Sequence, residues 1–503
     1  MGSTIRCLVR RDTYRDSVEL MRVAAELEEQ LPGVTRAALL MATPANRGLL
    51  AEAGLLVGEA TDAGPNDLVV AVAASDEAAA EGALARAERL LVAQAASPSG
   101  SAARPAPRSI AEALGEHPTA NLAIISTPGA YATAEALKAL KRGLHVFLFS
   151  DNVPIAEEIE LKRLATKKGL LVMGPDCGTA ILDGVPLGFA NAVGRGRIGL
   201  VGASGTGLQQ VSCLIDRLGE GVSQLIGVGS HDLDERVGGL MMLAGIERLA
   251  RDPGTTVIVL VSKPPAASVG RHVLEVARVS ARPVVVNFLG GDPAAIREAG
   301  AMPAATLEDA ARFAVALARG ERASVADGLD PKLVARSRAR VGRFAAGQRH
   351  VRGLFSGGTL CREAALILEE GGAAGHSAVD LGDDEFTMGR PHPMIDFRLR
   401  NERILAAAED PTTAVILLDV VLGYGAHPDP AGALSAAVER ARQQAARAGR
   451  ALGVVASVCG TAADPQDLLK QEERLAAAGV VLAPSNAQAA RLAALLAGDA
   501  GAG

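Results

Sequence analysis

The feature that most constrains this chain is a repeated rhythm. From residue 109 onward, apolar runs of strand length alternate with helix-length stretches. Leu122–Ser126, Val146–Phe149 and Leu170–Met173 form a first set, and Arg197–Val201, Val222–Val228, Thr256–Val261 and Pro283–Phe288 a second. Val351–Phe355, Val415–Leu418, Ala451–Val458 and Gly479–Leu482 form a third. Strands separated in this way need crossover helices, so the rhythm predicts an α/β protein built from parallel sheets, Rossmann-like and flavodoxin-like in type. A chain of 503 residues has room for about three or four such domains.

The first 96 residues follow a different pattern. Ile5–Val9, Thr35–Met41 and Leu68–Ala73 read as strands. Ser17–Leu31, with Leu20, Val23, Ala24 and Leu27 at helical spacing, and Ala78–Val92 read as helices. A small α+β module is expected over 1–96, and the Pro/Ser/Ala-rich stretch 95–108 reads as a linker. The expected domains are then 1–96, 109–190, 191–325 and 346–500, with a charged helical connector over 320–345.

Composition excludes several classes. Nine Phe, three Tyr and no Trp leave an aliphatic core. The net charge of −6, without any basic block, argues against a nucleic-acid partner. The apolar runs fall well short of the ~20 residues that span a bilayer, and no apolar segment follows the charged N-terminus, so neither a membrane span nor a signal peptide is expected. Five scattered cysteines, Cys7, Cys177, Cys213, Cys361 and Cys459, fit a reducing, cytoplasmic setting better than a disulfide framework. No His/Cys spacing suggests a metal.

Two turns stand out. Gly202-Ala203-Ser204-Gly205-Thr206-Gly207 follows one strand and precedes a helix expected to start near Leu208. Ser356-Gly357-Gly358-Thr359 follows another and precedes a helix expected near Leu360. Glycine lets the backbone approach a ligand closely. A helix start offers unpaired N–H groups and about half a positive charge. Ser204, Gly205, Thr206, Gly207, Ser356, Gly357, Gly358 and Thr359 are therefore the candidate phosphate ligands. Simple capping by Ser or Thr is the alternative for each turn. No Gly-x-x-x-x-Gly-Lys-[Ser/Thr] occurs, and no Gly-x-Gly-x-x-Gly with a well-placed acid, so ATP and NAD sites are not indicated.

These residues resemble a known family. Tyr131–Ile181, ending in Met173-Gly174-Pro175-Asp176-Cys177-Gly178, is similar to the CoA-binding domain of the succinyl-CoA synthetase α subunit. The turn at Ser204 resembles that subunit's phosphate-facing turn, and the turn at Ser356 resembles its β-subunit counterpart. Gly227-Val228-Gly229-Ser230-His231-Asp232 resembles a further loop of that enzyme. Gly389–Asp396 and Leu418–Gly425 are similar to patterns of the FdrA family, which looks like an α subunit fused to the C-terminal β-subunit domain. The resemblance implies domains of the succinyl-CoA synthetase type. It departs where that enzyme carries its phosphohistidine: Leu289–Ala295 holds no histidine, and none occurs between that stretch and His350. The nucleotide-binding half of the β subunit and the Gly-rich CoA-contacting turn also lack clear counterparts.

What the resemblance then implies is an acyl-phosphate-handling subunit. Carbamoyl transfer between carbamoyl phosphate, or phosphate, and an amide such as oxamate in ureide (allantoin) catabolism is the expected reaction, because FdrA members are implicated in oxamate carbamoyltransferase. An acyl-CoA synthetase working with a nucleotide-binding partner is one alternative, with CoA as a possible cofactor. A non-catalytic CoA- or metabolite-binding scaffold is another. Expected partners are a small acyl phosphate, an amide or carboxylate acceptor, other subunits of a multi-subunit enzyme and further copies of the chain.

Transfer to nitrogen needs a proton acceptor. His231, His392 and His427 are candidates by residue type and loop position, and Asp419 by its strand end. Asp176, Cys177, Asp232, Asp396 and Arg398 are candidate substrate contacts. A capped turn, a surface ion pair or a packed turn cysteine is the structural alternative at these positions.

Overall fold

The computed structural model describes residues 4–15, 17–95, 107–325, 328–371, 375–387 and 391–499. They form two compact units, one of residues up to 106 with 387–391, the other of 107–386 with 392–503. Of the linker expected over 95–108, residues 96–106 lie outside the described residues.

In the first unit, strands β1 (Thr4–Arg10), β2 (Val34–Met41) and β3 (Leu68–Ala74) form an antiparallel sheet in the order β1-β3-β2. Helices Ser17–Gln30 and Glu77–Ala95 lay Leu20, Val23, Leu27, Ala80 and Ala83 on one face, against Leu68, Val70 and Val72. Helix Pro44–Glu52 and the short turn Gly58–Asp62 cover the other face with Leu50, Leu55 and Ala60. Central β3 is thus buried on both sides, the physical reason its sequence is apolar throughout. The 44–52 helix has no long apolar stripe. Its start is set locally by a Thr43 cap and Pro44 in the first turn.

The second unit holds three sheets. Strands β4 (Leu122–Ile125), β5 (His145–Leu148) and β6 (Val172–Met173) pair in parallel in sequence order. Next come β7 (Thr179–Leu182), β8 (Val185–Gly188), β9 (Arg195–Ala203), β10 (Val222–Gly227), β11 (Val257–Ser262), β12 (Val284–Phe288) and β13 (Met302–Pro303). They form a seven-stranded sheet ordered β13-β12-β11-β9-β10-β7-β8. It is parallel from β13 to β10, with the β7–β8 hairpin added antiparallel. The last sheet is fully parallel, ordered β15-β14-β16-β17-β18 from β14 (His350–Phe355), β15 (Ser377–Asp380), β16 (Thr413–Val421), β17 (Gly453–Cys459) and β18 (Val481–Ala483).

The two large sheets share one aliphatic core. Leu208 and Val211 of helix Gly205–Arg217 and Leu307 of helix Leu307–Arg319 join Leu360 and Ala364 of helix Gly358–Glu370 and Leu492 of helix Asn486–Asp499. Polar ties lock the seam. Asn191 Nδ2 donates to Asp464 Oδ2 (2.8 Å) and to the Leu422 carbonyl (3.0 Å), and Thr461 Oγ1 donates to the Ala192 carbonyl (2.6 Å). The Cys459-Gly460-Thr461 turn therefore belongs to this seam. The expected connector helix over 320–345 is confined to Pro331–Val341, because Asp330 caps it and Pro331 opens it. No helix of the described residues is long and apolar enough to cross a membrane.

One buried carboxyl ties the same seam. Glu363 accepts from the Leu307 N–H (2.6 Å) and from Asn486 Nδ2 (2.8 Å), while burial pushes it up to about 7. A group raised above its unfolded value contributes stability that is complete below the ordinary Glu range and is lost as pH rises through about 7. Glu363→Gln is expected to flatten the decline in urea midpoint across that window. An unchanged slope would assign the decline to another group.

Candidate functional site

The two Ser-Gly turns meet. Ser204 caps helix 205–217, its Oγ accepting from the Gly207 N–H at 3.1 Å. The same Oγ lies 2.6 Å from Thr359 Oγ1, in the first turn of helix 358–370. Glycine is required where the turns touch. A Cβ on Gly357 would come within 2.8–2.9 Å of the Thr206 side chain, and one on Gly207 would lie 3.0 Å from Thr359 Cγ2. Both helices also start earlier than expected, the first by three residues at Gly205 and the second by two at Gly358. Glycine and hydroxyl residues carry little apolar signal, so periodicity alone places such starts late. The leading N–H groups of Gly205, Thr206, Gly358 and Thr359 have no acceptor within their own helices. Two helix dipoles thus bring roughly one positive charge to one place.

Ser356 departs from expectation. Its Oγ lies 3.1 Å from both carboxylate oxygens of Asp419, and Gly357 takes the cap position of the following helix. Thr359, rather than Ser356, supplies the second hydroxyl at the meeting point. Asp419, expected at the reacting centre, is correspondingly committed to anchoring this turn. Besides the Ser356 hydroxyl, it receives the N–H groups of Ser356 (2.9 Å) and Gly357 (2.8 Å) and Nη2 of Arg400 (2.6 Å). Both Asp419 and Arg400 are fully buried. Arg400, the largest fully buried side chain, was missed because a charged residue in a helix reads as solvent-facing.

Two of the histidines are also placed differently from expectation. The Met394 N–H donates to His392 Nδ1 (3.2 Å), and the Asp429 N–H donates to His427 Nδ1 (3.0 Å). A backbone N–H only donates, so each Nδ1 presents its lone pair and each neutral ring carries its proton on Nε2. Through Nε2–H both rings are therefore hydrogen-bond donors, and the general-base role expected of them is corrected. Burial holds His392 down to about 4, against the opposing pull of Asp419, and its ring lies 5.7 Å from that of Phe189. His427 packs edge-on against Phe397, with ring centroids 5.4 Å apart.

His231 and Asp232 belong to a different cluster. Asp232 is buried, paired to Lys162 Nζ (2.8 Å) and accepting the Met241 (3.1 Å) and Met242 (2.8 Å) N–H groups, so it anchors a helix start rather than a substrate. His231 Nδ1 lies 3.5 Å from Glu158 Oε2, whose other oxygen also meets Lys162 at 2.7 Å.

Asp176 and Cys177 follow the cis Gly174–Pro175 bond. Asp176 is exposed and donates its N–H to the Ser150 carbonyl (2.9 Å). Cys177 is turned inward under Gly227, and burial pushes its thiol up to about 12, which removes it as a substrate contact. Arg398 is held by its neighbour Asp396 (Nη2–Oδ2 2.6 Å), a local pair in place of the expected carboxylate clamp. Gly389 and Arg390 lie outside the described residues.

Sequence reading also missed the opposite wall of the meeting point. Asp380, ending β15, puts Oδ2 at 2.3 Å from where a Gly358 Cβ would be, and Lys263, following β11, puts Nζ at 3.6 Å from that point. From sequence, the Lys263-Pro264-Pro265 turn reads either as a solvated surface, the default for a lysine, or as a charge offered to a substrate. Only pairing across the two sheets reveals its setting.

Paired helix starts on two parallel sheets accompany family matches of the same kind. A CoA-ligase family model matches residues 354–496, and a CoA binding domain model matches 194–290, one block later than the CoA-binding-like region expected from sequence. A model described as AllF, heavy metal-associated domain, matches 3–107. These define a CoA-ligase-type protein with the succinyl-CoA synthetase fold.

Within that class, the chain belongs to the FdrA family. It is 42% identical to the uncharacterized protein YahF of Escherichia coli (strain K12), over 97% of this chain and 98% of that one. It is also 28% identical to the α subunit of an ADP-forming succinate–CoA ligase of Methanothermobacter thermautotrophicus, over 30% of this chain and 52% of the subunit, so it spans about half of that relative. A solved dinucleotide-forming acetyl-coenzyme A synthetase 1 of Ca. Korarchaeum cryptofilum aligns over 75% of this chain and 82% of its own, with 17% identity and a TM-score of 0.34.

The heavy-metal description does not fit the residues of the first unit. Residues 3–107 contain one cysteine, Cys7, and no histidine. The Cys7 thiol donates to the Leu55 carbonyl (3.2 Å), and burial raises it above its ordinary range. Soft-metal sites are built from several thiolate or imidazole ligands, which this module lacks.

Proposed function

We propose that this chain holds an acyl phosphate at the paired helix starts, and that it transfers a carbamoyl group between carbamoyl phosphate and an amide nitrogen, oxamate being the model acceptor. The observation that carries this reading is the 2.6 Å approach of Ser204 Oγ to Thr359 Oγ1, which brings two helix N-termini from two sheets to one point. Their N–H groups and hydroxyls bind the phosphate and stabilise the charge it gains as leaving group. Lys263 adds a cation beside them. The turn after β12, Leu289-Gly290-Gly291-Asp292, has no imidazole to carry phosphate elsewhere, so transfer takes place where the phosphate binds.

A second reading, an acyl-CoA ligase acting with a nucleotide-binding partner subunit, is favoured by the CoA binding match at 194–290 and by relatives named as ligase subunits. CoA would then be the acceptor at the same acyl phosphate. A turnover requirement for CoA separates the two readings.

Phosphate at about a hundred times its Kd is expected to raise the unfolding free energy by about 2.7 kcal/mol. The double variant Ser204→Ala/Thr359→Val is expected to lose most of that gain and to lower carbamoyl-phosphate turnover by about a hundredfold or more. Phosphate protection that is absent, or equal in the variant, defeats the proposal.

A further inference from the structure

We propose that Asp380 is the general base of this site, and that the Nε2–H of His392 donates to the acyl oxygen; the assignment rests on the acyl-phosphate reading above. Three segments converge at the start of helix 358–370. Asp380 ends β15, where it pairs with Phe355, the residue before Ser356. Its Oδ1 accepts from the Gly382 N–H at 2.9 Å, which orients the carboxylate and leaves Oδ2 directed at Gly358. Around the position of a Gly382 Cβ lie His392 Nε2 (2.8 Å), the Ser356 carbonyl (2.8 Å) and Asp380 Oδ1 (3.2 Å). An imidazole N–H and a carboxylate thus flank the same helix start.

The other candidates for the base are occupied. Asp419 is held by Ser356, Gly357 and Arg400, and His392 and His427 have Nδ1 committed to backbone N–H groups. Asp380 faces Lys263 from the neighbouring sheet, Asp419 from β16, Asp383 from its own loop and His392 from the 392–396 loop. Burial dominates this balance and pushes Asp380 up to about 6, a value suited to accepting a proton near neutral pH.

The acceptor nitrogen attacks the carbamoyl carbon, and an N–C bond forms. The bond from that carbon to the phosphate oxygen breaks, its electron pair leaving on phosphate. Asp380 takes the proton released by the nitrogen and passes it to the departing phosphate, giving hydrogen phosphate and the carbamoylated amide. The His392 Nε2–H meets the charge that builds on the carbonyl oxygen.

The test uses the full chain with carbamoyl phosphate and oxamate, and inorganic phosphate as the binding probe. Asp380→Asn is expected to lower kcat at least a hundredfold while phosphate affinity stays within threefold of wild type. Wild-type kcat is expected to rise with pH through about 6, as the carboxylate forms. This profile tests the base independently of how the variant folds. Variant turnover within threefold of wild type, or a flat wild-type profile from pH 5 to 8, overturns the role of Asp380 alone. Phosphate binding without turnover overturns the catalytic assignment. Failure of the wild type to bind phosphate overturns the acyl-phosphate reading and this inference together.

Discussion

Asp419→Ala is expected to destabilise the second unit by about 3–5 kcal/mol, the range for leaving one charge of a buried pair uncompensated. Arg400 has no exposed surface, and its ion pair is with Asp419 at 2.6 Å. Nη2 also reaches the carbonyls of Leu354 (2.9 Å) and Asp419, while buried Nε and Nη1 find no hydrogen-bond partner. Removing Asp419 therefore leaves a desolvated guanidinium with few compensating contacts. It also frees the N–H groups of Ser356 and Gly357, so the second helix start loses its anchor. Urea unfolding followed by circular dichroism measures the loss. Arg400→Met made together with Asp419→Leu is expected to recover much of it, because no charge is then buried. A loss below about 1 kcal/mol for Asp419→Ala would mean that Arg400 reaches water in the variant.

Lys162→Met is the second large effect, also about 3–5 kcal/mol. Lys162 Nζ sits between Glu158 (2.7 Å), Asp232 (2.8 Å) and the Val228 carbonyl (2.9 Å), all in a buried setting. Helix Ile155–Lys168 is thereby tied to the loop after β10. Without the ammonium, two buried carboxylates face each other, and Glu158 Oε2 is already without a hydrogen bond. Their affinity for protons must rise. A raised carboxyl contributes stability below its unfolded value and loses it as pH rises through the folded value, so the variant's deficit should grow from acidic to neutral pH. A deficit independent of pH would assign the loss to packing of the stem.

Much of the fold was legible because its signals are local. Unbroken apolar runs such as Val257–Ser262 announce a strand buried on both faces. Local capping also carries signal: Asp330 with Pro331 opens a helix whatever surrounds it. Hairpin β7–β8 and the short β15 were not read, since Thr179–Leu182, Val185–Gly188 and Ser377–Asp380 mix polar, Pro or Gly residues into four positions, whereas the equally short Leu122–Ile125 is apolar throughout. The site was legible only in outline. Its two turns were visible as glycine–hydroxyl clusters, but their partners were not. The Ser356 hydroxyl turns away because a carboxylate 63 residues later claims it, and Thr359 takes its place across from Ser204, 155 residues distant.

The sequence by itself determined the strand and helix succession, the aliphatic core and the two anion-suited turns, because each depends on residues within a few positions of one another. Tertiary structure alone decided which hydroxyls meet, which ring nitrogens keep a lone pair, and that Arg400 and Lys162 are buried while Asp380 and Lys263 border the site. Those outcomes depend on desolvation and on partners from distant strands, and neither is written in any short window of the chain.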